Sequence, residues 1–326
     1  SFVIYGELAN ENLEHIGGVV DFNNDNFSDL YIGARFADTP NPNGGQKRDA
    51  GRALVYRGRP APLAGQRAIL CEPDLVFEGA NANNHLGTSV TPLGDIDGDG
   101  CGEVAFGEPE ISVDGNNRQG AVHILYGWGG AGCYATPHIT SITFRNTDAR
   151  FGTSLATSDL DSDGISDIVI GGFNTNYNGI RPGAVWVVRG LQLRTLNPQV
   201  LTQTRTYHEI NNFVGEEGQW WVAGKVHQSR FGWSVAASGQ YVFVSAPITE
   251  DRSQRIGEGY LYEISNNGFE GLVGVFAGET QSVFSEMGQV TDLHVNPFKG
   301  WIGFGSYWGR GTHTQGGSVY IGSFEP

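Results

Sequence analysis

The sequence predicts an all-β fold made of repeated four-stranded units. Two local features support this prediction: short segments rich in branched and aromatic residues end at glycine, and turn-forming residues bound each segment. The third observation is that the whole pattern recurs along the chain. Four short strands per repeat, at a period typical of propeller blades, indicate a β-propeller.

Five units align on the glycine that opens each of them, namely Gly17, Gly87, Gly152, Gly232 and Gly288. In each unit, the strand segment that contains the opening glycine is followed by two more strand segments and preceded by one. The units cover approximately 1–58, 72–127, 137–190, 217–264 and 272–324 of a single domain over 1–326.

The two ends of the chain bear on how the ring of blades closes. Phe2–Gly6 has the pattern of a fourth strand, and Ser318–Phe324 has that of a third strand. We therefore expect five four-stranded blades, with the N-terminal strand joining the last blade and removing its exposed edge. The alternatives are that the five units are part of a longer, seven-bladed propeller, or that the irregular stretch 191–216 hides another blade, although it is too short for four strands.

Acidic loops separate the first and second strands in three units: DFNNDNFSD, DIDGDGCGE and DLDSDGISD. Each has side-chain oxygens at positions 1, 3, 5 and 9, and a backbone carbonyl is available at position 7. Calcium takes six to eight oxygen ligands in a flexible geometry, so each loop could wrap around one ion. A strand follows each loop instead of the helix of an EF-hand, and the alternative is a solvated acidic turn.

The pattern predicts three Ca²⁺ sites. Their ligands are Asp21, Asn23, Asp25, Phe27 (carbonyl) and Asp29; Asp95, Asp97, Asp99, Cys101 (carbonyl) and Glu103; and Asp159, Asp161, Asp163, Ile165 (carbonyl) and Asp167.

The combination of motifs resembles the FG-GAP repeat of integrin α-subunit propellers. Phe-Gly occurs at 151–152 and 231–232, Gly-Glu-Pro at 107–109 and Ser-Ala-Pro at 245–247, and the acidic loops lie between these elements. The resemblance covers essentially the whole chain. It implies that calcium braces the bottom rim, which carries the connections from first to second and from third to fourth strands. Loops on the opposite, top rim then recognise a ligand. Units four and five depart from the loop pattern, so no strong calcium site is expected there.

Candidate ligand-binding residues lie in the connections of the top rim. Propeller symmetry places the residue before the opening hydrophobic–Gly pair of each unit near the axis. These residues are His15, His85, Arg150, Arg230 and Glu286, and the first four are candidates. Further candidates in top loops are Tyr177, Arg181, Tyr307, Trp308 and Arg310. The cations predict a site for an anionic group of a protein or glycan. The alternative is that the top-loop charges pair with one another.

These patterns favour an extracellular recognition or adhesion propeller, because calcium sites of this kind saturate outside the cell. The alternatives are a lectin of the integrin-like propeller type and an enzyme or its accessory propeller. The enzyme is less favoured, since GxSxG, HExxH and P-loop motifs are lacking. The net charge of −15 argues against nucleic acid as a partner, and no apolar run approaches the ~20 residues of a membrane span. Cys101 could form a disulfide with Cys71 or Cys133, or all three thiols could be free.

Overall fold

A computed structural model describes the chain over residues 2–4, 13, 15–58, 68–70, 72–201, 205–210, 219–248, 250–251, 254–255, 257–277, 287–296, 299–306 and 318–324. The described residues are nearly all in strands, turns and loops, with one short helix, Gly190–Leu193. None of their helices is long and apolar enough to cross a membrane.

Five antiparallel sheets follow one another along the chain, and we number them as blades 1 to 5. Blade 1 contains His15–Val20, Asp29–Ala34, Arg52–Tyr56 and Leu75–Glu78. Blade 2 contains Val90–Gly94, Glu103–Glu108, Ala121–Tyr126 and His138–Thr143. Blade 3 contains Ser154–Ser158, Asp167–Gly172, Ala184–Val188 and Trp221–Ala223. Blade 4 contains Val235–Ser238, Tyr241–Ala246, Glu258–Ser265 and Gly268–Ala277. Blade 5 has three strands among the described residues, Met287–Asn296, Lys299–Ser306 and Ser318–Phe324.

The blades are arranged as in a β-propeller. The first strands of successive blades contact one another from blade 1 to blade 5. The second strands of blades 2 and 3 are buried along their full length, because apolar side chains face a neighbouring blade on both sides. One hydrophobic cluster includes Tyr31 of blade 1 and Phe106 of blade 2, so the core lies between the sheets.

The glycines of the repeat hold adjacent blades together by direct backbone contact. Gly107, in the second strand of blade 2, faces Gly152 at the start of blade 3. A Cβ atom built on Gly107 would lie 1.9 Å from the Gly152 carbonyl oxygen, and one built on Gly33 would lie 2.1 Å from the Gly87 oxygen. Gly87 also has a φ of +85°, a conformation that glycine adopts without the strain of a side chain.

The N-terminal strand does not join the last blade, so this part of the prediction was wrong. Phe2–Ile4 pairs in parallel with Ala68–Leu70, in a separate two-stranded sheet. Both segments are short apolar runs, and their composition predicts strands without specifying which strands pair. The five sheets agree with the five aligned units, and the number of blades in the complete ring stays a prediction.

An insertion after the third strand of blade 3 runs back over the outer edge of blade 2. It begins with the helix Gly190–Leu193. Gln199–Val200 then pairs antiparallel with His138–Ile139, and Tyr207–Glu209 pairs in parallel with Ser141–Thr143. We call the described residues 190–201 and 205–210 the strap. Two further hairpins are formed by Thr39–Pro40 with Gln46–Lys47 and by Glu250–Asp251 with Gln254–Arg255.

Candidate functional site

The three acidic loops fold in the same way, and the first aspartate organises each of them. In the third loop, both Asp159 carboxylate oxygens accept backbone N–H groups, from Asp163 and Gly164, at 3.0 Å each. Asp21 and Asp95 accept two backbone N–H groups in the same manner in the other loops. These local hydrogen bonds curl the backbone of each loop around its first carboxylate.

The carboxylate at position 9 ties each loop to the third strand of its blade. Asp167 accepts the Leu160 N–H at 2.8 Å and the Gly190 N–H, just beyond the third strand, at 2.9 Å. Asp29 bonds Phe22 and Gly58 in the same way, and Glu103 bonds Ile96 and Gly127. All three carboxylates are completely buried. Position 9 is therefore a structural anchor of the loop as well as a candidate ligand.

The side chains present fit a hard divalent cation. One carboxylate oxygen from each of Asp95, Asp97 and Asp99 lies within 4.8 Å of the others, and the same holds for Asp159, Asp161 and Asp167. The donors are all oxygens, as calcium prefers. In the first loop, the Asn23 amide donates to Asp25 at 2.9 Å, while the buried Asn23 Oδ1 has no partner among the described residues. That oxygen is available as a ligand, which fits the predicted role of Asn23.

The electrostatics of the loops also favour a bound cation. Burial, together with nearby carboxylates, raises the pKa of Glu103 to about 9 and that of Asp167 to about 7. Burial raises the pKa of Asp29, Asp99 and Asp161 as well. Crowded, desolvated carboxylates resist ionisation unless a positive charge lies among them. A divalent ion would supply that charge.

A disulfide joins Cys101, at position 7 of the second loop, to Cys133, with a Cα–Cα distance of 5.7 Å. Of the two candidate partners that the sequence left open for Cys101, Cys133 is therefore the one that pairs with it. Cys71 lies outside the described residues.

On the opposite rim, a cavity of about 370 Å³ opens near the axis. Its lining includes two of the predicted residues, His85 and Arg150, together with Arg35. His85, Arg150 and Arg230 share a left-handed backbone, with φ of +57°, +58° and +59°. The repeat therefore sets the same backbone at all three positions, and His85 and Arg150 both reach this cavity. Phe173, Trp233 and several serine and threonine residues complete the wall.

Aromatic rings and like charges surround the cations in and beside this central cavity. The Arg150 guanidinium lies 5.4 Å from the Phe173 ring centroid, and that of Arg230 lies 4.9 Å from the Trp233 centroid. Burial lowers the pKa of Arg150, with a further lowering from nearby Arg230. Burial lowers the pKa of His85 too, and although Asp49 opposes this shift, Arg35 and Arg150 add to it. Positive charge is therefore crowded at this end of the axis.

Part of that charge is paired at the rim. Arg150 forms an ion pair with Glu110, and its Nε lies 3.6 Å from Asp148. Asp148 also pairs with Arg118 at 3.3 Å and with the predicted residue Arg181 at 2.9 Å. Charge pairing between top loops is the alternative to a ligand site. It accounts for the charge of Arg181 and for part of the ion-pairing capacity of Arg150.

The remaining predicted residues are placed as follows. Tyr177 packs edge-on against Trp221 at 5.3 Å and is half-buried, so it is not a fully exposed platform. His15 lies in the first strand of blade 1. Tyr307, Trp308 and Arg310 lie outside the described residues.

Sequence reasoning missed a buried polar network between blades 1 and 2. Glu108 bonds His123 Nε2 at 2.7 Å, Asn84 at 2.9 Å and Arg205 of the strap at 2.6 Å, while His123 Nδ1 lies 2.8 Å from Ser141. Burial opposes ionisation of Glu108, yet Arg205, His123 and Asn84 hold its pKa below the ordinary value. Burial lowers the pKa of His123, so the network pairs a carboxylate with a neutral imidazole.

Arg205 also lines a second cavity, of about 840 Å³, at the outer edge of blade 1. The sequence signal for this arrangement was the irregular stretch 191–216, part of which forms the strap.

Comparison with known proteins identifies relatives of two kinds, although no family model matches the chain. Integrin alpha-IIb of Mus musculus is 27% identical over 211 residues, which are 62% of this chain and 20% of that protein. Integrin alpha-5 of Xenopus laevis is 29% identical over 160 residues, 48% of this chain and 14% of that protein. The protein is an integrin α-like β-propeller.

The second kind of relative is phosphatidylinositol-glycan-specific phospholipase D of Rattus norvegicus. It is 26% identical over 216 residues, 66% of this chain and 23% of that protein. The integrin α-like propeller therefore spans less than a quarter of the length of each of these three relatives.

Proposed function

We propose that this integrin α-like propeller is an extracellular recognition module. In this proposal, three calcium ions brace the bottom rim, and the central cavity of the top rim binds the ligand. The observation that carries the proposal is the convergence of His85 and Arg150, from equivalent positions of successive repeats, on one cavity with Arg35. Loops held by a rigid scaffold are the usual location of binding residues.

The ligand group we propose for the cavity is an anion, such as a carboxylate of a protein partner. Arg35, His85 and Arg150 line the cavity, and Glu110 is the one acidic side chain among the described lining residues. Stacking on Phe173 limits the motion of Arg150. A guanidinium ordered before binding loses less entropy when it forms a bidentate bond to a carboxylate.

The calcium ions have a structural role in this proposal. Each would bind carboxylates at the start of a loop whose position-9 carboxylate bonds the end of the third strand. When bound, the ion supplies positive charge to carboxylates that are otherwise desolvated together. This structural role agrees with secretion or a cell-surface location, and the Cys101–Cys133 disulfide supports the same assignment.

A binding experiment with matched variants tests the recognition role. The immobilised protein is exposed to a panel of purified extracellular matrix proteins and to a glycan array, each in calcium and in EDTA. We expect selective protein binding that Arg150→Ala abolishes. The matched control is Arg145→Ala, which removes an exposed arginine that pairs with Glu209 away from the cavity.

The outcomes separate the candidate functions. Binding that survives Arg150→Ala and Arg35→Glu would refute the central cavity as the ligand site. Selective binding on the glycan array alone would favour the lectin. The similarity to a phospholipase D makes an accessory propeller of an enzyme the second candidate. A protein that binds neither panel but binds a catalytic domain from such an enzyme would support that candidate.

A further inference from the structure

The loop at residues 127–134 of blade 2 contacts two of the acidic loops at once, and we call it the coupling loop. It leaves the third strand of blade 2 and is closed by a hydrogen bond from the Gly129 N–H to the Tyr134 carbonyl, at 2.8 Å. It therefore lies on the bottom rim, beside the loops at 21–29 and 95–103.

The coupling loop is packed tightly against the 21–29 loop of blade 1. A Cβ atom on Gly130 would lie 1.5 Å from the Asn23 carbonyl oxygen, so only glycine fits at this contact. The Asn24 side chain donates to the Ala131 carbonyl at 3.3 Å. The Trp128 ring packs edge-on against Phe22, with centroids 4.5 Å apart. The position of the coupling loop thus constrains the backbone at Phe22, Asn23 and Asn24.

The same coupling loop is bonded to the 95–103 loop of blade 2. Cys133 forms the disulfide with Cys101, whose carbonyl is the predicted ligand at position 7. A Cβ atom built on Gly132 of the coupling loop would lie 2.8 Å from the Asp99 carbonyl oxygen, so the two backbones are in close contact. The two acidic loops also touch directly, because the Gly102 N–H donates to the Asp21 carbonyl at 3.0 Å. Each end of this connection therefore lies at a candidate calcium ligand or beside one.

We propose that the coupling loop makes calcium binding at 21–29 and 95–103 cooperative, and that the Cys101–Cys133 disulfide is needed for this coupling. The proposal rests on the calcium role proposed above. An ion in one acidic loop orders the coupling loop, so the second ion binds at a lower cost in conformational entropy. Cys133 is the positioning residue in this account.

The acidic loop at 159–167 serves as an internal reference. Among the described residues, its contacts with the next blade run from Ser158 to the Gly239 carbonyl at 2.9 Å and from Gln240 to Ser162 at 3.4 Å. It contains no cysteine, and the described hydrogen bonds of the coupling loop do not reach it. Its calcium affinity should not depend on Cys101 and Cys133.

Calcium titration by isothermal calorimetry of full-length variants tests the proposal. Asp163→Ala disables the third acidic loop and leaves the coupled pair. In that background we expect a Hill slope above 1, and the further change Asp99→Ala should weaken binding at 21–29 by about tenfold. Adding Cys101→Ser and Cys133→Ser should return the slope to about 1. In Asp25→Ala/Asp99→Ala, which keeps only the third loop, the same cysteine changes should leave the affinity within about twofold.

A second variant covers the case in which the cysteine variants do not fold. Asn24→Gly removes the side-chain bond to Ala131 but suits the left-handed backbone at this position, where φ is +54°. It should lower the Hill slope with the disulfide intact. Independent binding at both loops of the Asp163→Ala protein would overturn the coupling while leaving the calcium role in place. Absence of calcium binding to the unmodified protein would refute both.

Discussion

Replacement of Arg205 by alanine gives the sharpest test of how the strap holds blades 1 and 2 together. The Arg205 side chain is only 5% exposed, and its Nη1 donates to the fully buried Glu108 at 2.6 Å. Its Nη2 donates to the Glu78 carbonyl, and its guanidinium lies 4.4 Å from the Phe77 ring centroid. Arg205→Ala removes all three contacts and leaves Glu108 buried without a cation.

The expected loss in the free energy of unfolding follows from the Glu108 carboxylate, which stays buried after the substitution. Breaking a buried pair by removing one partner costs about 3–5 kcal/mol. Glu108 can limit this cost by taking up a proton when the protein folds. Protonating a carboxyl with an unfolded pKa of about 4.3 costs about 1.36 kcal/mol per pH unit, or about 3.7 kcal/mol at pH 7 and about 1 kcal/mol at pH 5. The loss should therefore shrink as the pH falls, because the folded variant binds a proton that the unfolded chain releases.

Urea denaturation of Arg205→Ala, Glu108→Gln and the double variant, at both pH values, measures this cost. In the Glu108→Gln background, which carries no buried charge, Arg205→Ala should cost clearly less than in the native background. The matched control is Arg145→Ala, which breaks the exposed Arg145–Glu209 pair on the same strap and should cost less than about 1 kcal/mol. A loss from Arg205→Ala below about 1 kcal/mol, or a loss that is equal at both pH values, would refute the reasoning.

Three further predictions concern the ions, the buried histidine and the contacts between blades. EDTA should lower the melting temperature in differential scanning calorimetry, since each bound calcium ion stabilises the fold by about 2.7 kcal/mol when free calcium is near 100 times Kd. Asp163→Ala should remove the contribution of one site, and an unchanged melting curve in EDTA would contradict the prediction. Burial lowers the pKa of His123, so the unfolded chain binds more protons and the free energy of unfolding should fall as the pH drops below about 6.5. The same pH dependence of the free energy of unfolding in His123→Gln would contradict this prediction. Gly107→Ala should lower the free energy of unfolding in urea by about 1–3 kcal/mol or more, because its Cβ would meet the Gly152 carbonyl. Gly271→Ala, whose Cβ would have nothing within 4 Å, should be neutral, and equal losses would contradict the blade contact.

The repeat and the acidic loops could be predicted from sequence because each depends on local chemistry. Asp159 organises its loop through backbone groups four and five residues away, so the motif carries most of its own geometry. The strand segments likewise follow from short-range pattern. The resemblance to the FG-GAP repeat rested on these local motifs, and the integrin relatives agree with it.

Contacts between distant segments could not be predicted in this way. Phe2–Ile4 pairs with Ala68–Leu70 because of where the chain places these segments, and either would suit several partners. Arg205 reaches Glu108 across 97 residues, and nothing near either residue in sequence marks the pair.

The amino-acid sequence was therefore enough to specify the repeated unit, its strands and the loops suited to a hard cation, since residues within one unit determine them. The packing of the blades was needed to establish which cysteine pairs with Cys101, which arginines meet at the axis and where the strap lies. Those outcomes depend on how the blades are oriented and on which buried charges must find a partner. Such constraints act between segments far apart in the chain, where local pattern carries no information.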